Sequence, residues 1–162
     1  ESQNTPQYFL KYPALSGKRN SLKIDVTYPP IKSNVYEARR FIEIDRIIYC
    51  QTIETMMANK LVALIDRYQR HEAIAGRDIY DIHHFFLNGY RYNTRVIKER
   101  TNQESIKFFV ELDKFIKKQI TTQIFDQDLN VLLPYDKFSQ IRKILKSETL
   151  MFIRDEIARL KN

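Results

Sequence analysis

The sequence is poor in the residues on which disulfide-rich and zinc-binding proteins depend. Its 162 residues include one cysteine and three histidines, with no Cys-x-x-Cys and no His-Glu-x-x-His motif. A single cysteine, Cys50, excludes an intramolecular disulfide and fits a reducing compartment. Because Cys50 ends an apolar run, we expect it to be a buried, inert thiol. The scarcity of histidine and the missing motifs argue against a zinc site.

The sequence also lacks the segments that target a protein to a membrane. No apolar run approaches the roughly 20 residues that a membrane-spanning helix needs. The first residues are polar and hold no apolar core of the kind that a secretory signal carries. No internal repeat or low-complexity tract interrupts the chain. We therefore expect a cytoplasmic protein that makes no membrane contact.

The composition is that of a globular, basic protein. Hydrophobic residues make up 43% of the chain, which is enough for a packed core, and the length fits one domain or a large fragment of one. The formal net charge is +7. Such a charge permits contact with nucleic acid or nucleotide phosphates, although a basic surface also serves solubility.

Alternating apolar residues predict a β-hairpin in the first 30 residues. Gln7–Tyr12 and Ser21–Tyr28 alternate on either side of turn-forming residues, so we expect antiparallel neighbours. Residues 46–50 predict a further strand, whereas 37–43 fit a loop, a strand or a helical turn. Asp25 is unusual because aspartate is depleted from strands; it lies either on a solvated face or at a functional site.

The stretch 52–87 organises the chain as two helices. In the first, the apolar stripe consists of Ile53, Met57, Leu61, Leu64 and Tyr68. Lys60 projects into this stripe, and Arg67 follows seven residues later on the same ridge. Thr52 precedes the helix as a plausible N-cap. Lys60 either lays its stem over the core with its ammonium in solvent or forms a structural ion pair with Asp78.

The second helix is predicted to start near Arg77, after Gly76, which can end the preceding helix. Its apolar face consists of Ile79, Ile82 and Phe86. Asp78 flanks that face, and Asp81 lies one step further round the helix. An acid in the first turn also suits the helix dipole.

The second half of the chain predicts more helix. Tyr90–Arg100 is basic and aromatic; it could bind RNA through arginines on phosphates and tyrosines on bases, or it could be a solvated joint between helices. Thr101–Glu104 resembles a capping box before a helix over 104–120. Asp136 can cap a final helix that extends to Leu160.

Together these patterns predict an α+β fold, in which antiparallel strands, the remnant of a larger sheet, are followed by a helical bundle. The strand-rich part is expected over residues 1–50, and the helical part, which carries the Lys60 and Arg77-Asp78 motifs, over 51–162.

The motif residues of the central stretch resemble those of the AbiEii/AbiGii toxin family of nucleotidyltransferases. That family carries a pattern like E-x-x-x-x-K-L-x-A-L-x-x-R followed by R-D-x-Y-D and an apolar residue. Here Glu54, Lys60 and Arg67 match the first part, with one extra residue before the lysine, and 77–82 match the second. LKIDV at 22–26 and LNVLLP at 129–134 extend the resemblance to most of the chain.

The resemblance implies a polymerase-β-type nucleotidyltransferase of the abortive-infection, type IV toxin–antitoxin kind. It implies Mg²⁺ or Mn²⁺ held in part by Asp25, and a phosphate-neutralising Lys60. Asp78 would position or activate the acceptor, or orient Lys60. Supporting candidates are Asp81, Arg67 and Arg77. The implied partners are a nucleoside triphosphate, an RNA acceptor such as tRNA, and an antitoxin protein.

Two motifs of such enzymes are missing upstream of LKIDV: a Gly-Ser or Gly-Gly turn and an Asp-x-Asp pair. Gly17 is the only glycine there, and no Asp-x-Asp follows it. The acidic triplets 43–45 and 126–128 come later and follow no Gly-Ser turn. Because the chain also begins at Glu1 without a methionine, we expect an N-terminal part to be absent and this piece to be inactive by itself.

Two other functions fit parts of the sequence. Arg77 and His83 form an R-x5-H pattern like that of HEPN ribonucleases, in which His would act as base and Arg would bind the phosphate. A non-catalytic interaction module is the third hypothesis, since the metal motif is missing.

Overall fold

A computed structural model of the chain describes residues 7–13, 19–26 and 29–162. Within them the strands are β1 (Gln7–Pro13), β2 (Arg19–Asp25), β3 (Tyr36–Phe41) and β4 (Arg46–Gln51). The helices are α1 (Ile53–His71), α2 (Gly76–Leu87), α3 (Thr94–Thr101), α4 (Ser105–Gln119), α5 (Thr122–Leu129) and α6 (Tyr135–Lys161). Strands therefore precede helices, and the predicted α+β fold is confirmed.

The chain divides into two compact units, one up to Lys32 and one from Ser33 onward. The first unit contains the antiparallel hairpin β1–β2, in which Gln7 pairs with Asp25 and Pro13 with Arg19. The predicted pairing of these segments is confirmed. The second strand was predicted to reach Tyr28, which lies outside the described residues.

The second unit begins with another antiparallel hairpin, in which Tyr36 of β3 pairs with Gln51 of β4. A short 3₁₀ turn over Ile42–Ile44 joins the two strands, and Asp45 closes it with a left-handed φ of 46°. Most side chains of this hairpin are exposed. Cys50 is half-buried, so the expected burial of its thiol is wrong. It lies near the end of a two-stranded ribbon whose side chains are mostly exposed, and such a ribbon does not enclose it.

The first helix forms where the sequence predicted it. The Thr52 side chain accepts a hydrogen bond from the Thr55 amide, which confirms the N-cap. The helix ends at His71 because Glu72 turns left-handed, with φ 49°. The prediction that Gly76 ends α1 is wrong, because Gly76 is the first residue of α2.

Two short helices and two caps differ from the sequence-based expectation. The eight-residue helices α3 and α5 were not predicted, since they are too short for a clear apolar period. Thr101 does not cap α4: it is still part of α3, where its hydroxyl donates to the Ile97 carbonyl. Asp136 is not a cap either, because Pro134 precedes α6 and places Asp136 in the first turn.

The core of the second unit is helical. α6 packs against α2 and α4, while α1 packs against α2 and α3. Its largest fully buried side chains include Phe108, Phe109, Phe125, Met57, Leu61, Leu64, Ile79 and Ile82. Each contributes roughly 1.5–3 kcal/mol of burial free energy, which fixes the helices that carry the polar site described next. Among the described residues, no helix combines the length and apolar character that crossing a bilayer requires.

Candidate active site

The predicted residues Lys60, Asp78 and Asp81 come together where α1 packs against α2. The Lys60 ammonium lies 3.1 Å from Asp78 Oδ1 and 2.9 Å from Asp81 Oδ2. The side chain of Lys60 is 32% exposed and that of Asp81 is 42% exposed, whereas Asp78 is 1% exposed. The cluster therefore has an enclosed carboxylate on its inner side and an ammonium and a second carboxylate that reach solvent.

Arg67 completes the cluster from the next two turns of α1. Its Nη2 lies 3.5 Å from Asp78 Oδ2, and its side chain is partly exposed. Residues seven apart on a helix share one ridge, which places Lys60 and Arg67 on the same side of α1. Asp78 thus lies between two cations of one helix, and this compensates the cost of burying its charge.

The two oxygens of Asp78 have different surroundings. Oδ1 accepts the hydrogen bond from Lys60. Oδ2 is buried without a hydrogen-bond partner, with Arg67 as its nearest cation among the ion pairs of the site. The Asp78 carboxylate is thus enclosed among its neighbours in the fold, whereas the Asp81 side chain is partly open to solvent.

The electrostatics keep Lys60 charged. Burial alone would lower the pKa of its ammonium, but hydrogen bonds and charge attraction from Asp81 and Asp78 outweigh burial and raise the pKa above its usual 10.5. An ammonium has three N–H donors. Two of them face these carboxylates, and in the part of the chain that the structure describes the third has no hydrogen-bond or ion-pair partner.

A neighbouring face of α1 is held by Arg100, a residue whose contact with α1 sequence reasoning missed. Arg100 of α3 donates to the Asn59 carbonyl (3.1 Å) and Asn59 Oδ1 (3.0 Å), and to Asp66 Oδ2 (2.6 Å). Asn59 and Asp66 are also seven residues apart, each one position before Lys60 and Arg67. This parallel spacing is the sequence signal that could have revealed the contact of Arg100 with α1.

The motif residues at this site carry the family resemblance. A family model described as nucleotidyl transferase AbiEii toxin, of a type IV toxin–antitoxin system, matches residues 1–148. The chain belongs to this AbiEii toxin family. Neither the curated proteins nor the solved structures give a match to the chain.

The AbiEii match confirms the resemblance inferred from the Lys60 and Arg77-Asp78 motifs. It supports a toxin with a nucleotidyltransferase-like role, and a type IV toxin–antitoxin system includes an antitoxin as counterpart.

The AbiEii resemblance also implies roles for Arg77 and Asp25. Arg77 is exposed at the start of α2. Asp25 is the last residue of β2, in the first compact unit, and its side chain lies outside what the structure describes. The roles predicted for Arg77 and Asp25 therefore stay predictions.

Among the side chains that the structure describes, no three His, Cys, Asp or Glu residues are grouped so that they could hold a metal ion. Asp78 and Asp81 are both turned toward Lys60, whose ammonium takes the place between them. The acidic triplets are engaged elsewhere: Asp45 pairs with Arg40, and Asp126 with Arg142.

The geometry of Arg77 and His83 does not favour a ribonuclease pair. Six positions along a helix place them roughly 120° apart around the axis. Arg77 is exposed, whereas His83 is buried, lies 2.7 Å from Glu148 Oε2 and contacts the Phe152 ring. A histidine engaged in this way is poorly placed to share a phosphate with Arg77.

The basic and aromatic stretch after α2 is partly internal. Tyr92 is buried and its hydroxyl donates to Glu156 (2.5 Å). Arg100 donates hydrogen bonds to residues of α1. Arg91 and Arg95 are exposed. The stretch thus serves the fold with some side chains and leaves others on the surface.

Proposed function

We propose that this AbiEii toxin transfers a nucleotide from a nucleoside triphosphate to an acceptor, with an RNA such as tRNA as the acceptor class. The observation that carries the proposal is the partly exposed, charged Lys60, held between two carboxylates with one donor to spare. Nucleotidyl transfer depends on positioning and on neutralising triphosphate charge, and an oriented ammonium supplies both.

In this proposal the role of each of the four side chains, Lys60, Asp78, Asp81 and Arg67, depends on how accessible it is to solvent. Lys60 contacts a phosphate oxygen of the triphosphate. Asp78, which solvent does not reach, orients Lys60 and Arg67 rather than touching the acceptor. Asp81 is accessible beside Lys60 and faces the acceptor, and the partly exposed Arg67 adds positive charge at the rim.

A divalent cation, Mg²⁺ or Mn²⁺, belongs to the proposal through the family resemblance. Such an ion would bridge substrate phosphates and neutralise their charge. Asp25 is the candidate protein ligand, and the described cluster around Lys60 does not provide the others. The roles of Lys60, Asp78 and Asp81 do not depend on it.

Nucleotide binding tests the proposal directly. The chain would be titrated by calorimetry with ATP, GTP, CTP and UTP, each in the presence of Mg²⁺. We expect one or more to bind, and Lys60→Ala to weaken that binding by about tenfold or more, since one charge-assisted hydrogen bond contributes about 1.5–3 kcal/mol. Lys114→Ala, at an exposed position of α4, is the matched control.

The outcomes separate the hypotheses. Binding that Lys60→Ala weakens and Lys114→Ala leaves unchanged supports the phosphate role. Equal affinity in the two variants contradicts it.

A second experiment measures transfer in the intact protein, with labelled triphosphates and total bacterial RNA as acceptor. RNA cleavage that His83→Ala abolishes, without nucleotide transfer, would favour the ribonuclease, and neither reaction would favour the interaction module.

A further inference from the structure

The start of α2 is held by a residue from a distant part of the chain. The first N–H groups of a helix lack partners within the helix and are usually capped by a side chain. Ala75, at the N-cap position of α2, has no side chain that could do so. Instead the Gly76 amide donates to Asp128 Oδ2 of α5 at 2.6 Å, across 52 positions of sequence.

The same end of α2 packs directly on the backbone of α5. A Cβ atom added at Gly76 would lie 2.7 Å from the Ile124 carbonyl oxygen and 3.3 Å from the Phe125 Cα. Backbone atoms cannot move aside as the end of a flexible side chain can. The hydrogen bond and this close approach together fix where the first turn of α2 begins.

That first turn carries the inner carboxylate of the candidate active site. Asp78 follows Gly76 by two residues, and its amide donates to the Ala75 carbonyl at 2.9 Å. A shift of the turn therefore moves Asp78 Oδ1 relative to the Lys60 ammonium, which it now meets at 3.1 Å. An ionised carboxylate also interacts favourably with the positive end of the helix dipole.

We propose that Asp128 is a positioning residue of the site: by capping α2 from α5, it holds Asp78 where Asp78 orients Lys60. The proposal rests on the nucleotide-transfer function proposed above. Asp128 contacts neither Lys60 nor the substrate in this scheme, and acts through Gly76 and the helix that Gly76 begins.

A neighbouring carboxylate provides the matched control. Asp126 lies on the same helix, two residues earlier, and forms its hydrogen bonds with Arg142 of α6 rather than with α2. Removing either aspartate takes one negative charge from α5. Only the removal of Asp128 takes the cap from α2.

The experiment measures nucleotide transfer to total RNA by the intact protein and by Asp128→Ala, Asp128→Asn and Asp126→Ala, with kcat and KM determined for the preferred triphosphate. We expect Asp128→Ala to lower kcat/KM by about 10- to 100-fold, as a displaced active-site group does. Asp128→Asn keeps an oxygen that can accept from Gly76, so it should stay within about threefold of the unmodified protein, as should Asp126→Ala.

Hydrogen exchange supplies a second readout that does not require turnover. Peptides that cover the first turn of α2 should exchange faster in Asp128→Ala than in Asp126→Ala. If Asp128→Ala does not fold, the Asp128→Glu variant replaces it. Glutamate keeps the negative charge, but its extra methylene misplaces the carboxylate oxygen. We therefore expect Asp128→Glu to lower kcat/KM, whereas Asp128→Asn should not.

Activity that is equal in Asp128→Ala and Asp126→Ala, or a loss that Asp128→Asn fails to rescue, would overturn the positioning role. A Lys60→Ala variant in the same series tells this failure from that of the proposed function. If Lys60→Ala is inactive while Asp128→Ala is fully active, only the inference about Asp128 is wrong. If Lys60→Ala is fully active, the proposed phosphate role of Lys60 is wrong.

Discussion

At the scale of single residues, burial decides what each carboxylate of the site can do. Asp78 and Asp81 are three positions apart on α2 and both lie next to Lys60, yet Asp78 is enclosed and Asp81 is partly exposed. An enclosed carboxylate with two cationic neighbours contributes to stability and orientation. An exposed one is weakly coupled to stability but open to a ligand.

This difference predicts unequal effects of the same substitution. Asp78→Asn keeps the shape of the side chain but removes the charge that Lys60 and Arg67 share. We expect the free energy of unfolding to fall by about 1–3 kcal/mol, since both cations are partly exposed and recover some hydration. Asp81→Asn should change it by less than about 1 kcal/mol. Urea denaturation monitored by circular dichroism measures both, and equal losses would contradict the assignment.

At the scale of elements, the short helices α3 and α5 hold the two helices that carry the site. α3 reaches α1 through Arg100, and α5 reaches α2 through Asp128 and through the backbone at Ile124. Neither short helix has enough apolar residues for a clear sequence pattern, but each makes its contact within one or two turns of a site residue. The long helices present the side chains, and the short ones set their positions.

The contact between α2 and α5 gives a prediction for Gly76. Gly76→Ala would place a Cβ 2.7 Å from the Ile124 carbonyl oxygen, so α2 and α5 must separate. We expect a loss of about 1–3 kcal/mol, the usual cost of overpacking, together with slower nucleotide transfer. Thermal unfolding and the transfer assay would measure the two effects.

Gly89, at the other end of α2, provides the comparison. It has φ 69°, and a Cβ there would meet nothing within 4 Å. Gly89→Ala should therefore cost about 1–2 kcal/mol through backbone strain alone and leave transfer unchanged. A Gly76→Ala protein with unaltered stability would show that the close approach to α5 is unimportant.

At the scale of the whole molecule, the shifted pKa values of two buried polar groups predict how the stability of the fold depends on pH. Burial alone would raise the pKa of Glu156, but hydrogen bonds from Arg159 and Tyr92 outweigh it and lower that pKa. Burial, reinforced by Glu156, raises the pKa of the Tyr92 hydroxyl. Tyr92 lies on the link between α2 and α3, and Glu156 lies on α6, so their bond joins separate parts of the helical unit.

The direction of each shift fixes the sign of the pH dependence. The lowered pKa of Glu156 gives stability that is present above its usual value of 4.5 and is lost as the pH falls below it. The raised pKa of Tyr92 gives stability that is present below its usual value of 10.0 and is lost as the pH rises above it. We expect the free energy of unfolding to be flat between these limits and to decline on both sides.

Tyr92→Phe tests the alkaline side of this prediction. The variant should lower stability by about 1–2 kcal/mol at neutral pH, because Glu156 loses a buried hydrogen bond. Its stability should also decline less than that of the unmodified protein above pH 10.0, since the titrating hydroxyl is gone. Denaturant unfolding across a pH series measures both effects, and an identical alkaline decline in the two proteins would assign it to other groups.

Much of the fold follows from local patterns that the sequence carries by itself. Apolar residues at helical spacing in 53–68 and at alternating positions in 7–12 and 21–28 require a helix and two strands, because only these conformations bring the apolar side chains to one face. Thr52 is an N-cap for a local reason as well, because its hydroxyl accepts from the amide of Thr55, three residues later. The motif around Lys60 and Arg77-Asp78 was enough to place the chain in the AbiEii family, which the family match over residues 1–148 confirms.

Other features were decided only by tertiary structure, because they depend on groups that are distant in sequence. The sequence permitted an ion pair between Lys60 and Asp78, but the packing of α1 on α2 formed it and enclosed Asp78 within it. The sequence predicted that α2 starts near Arg77, one residue after its observed start at Gly76, and showed Asp128 only as part of an acidic triplet. The hydrogen bond by which Asp128 caps this helix start exists only because α5 packs against α2. A local pattern specifies which face of an element is apolar, whereas the partner that meets a given polar atom is fixed only when the elements pack.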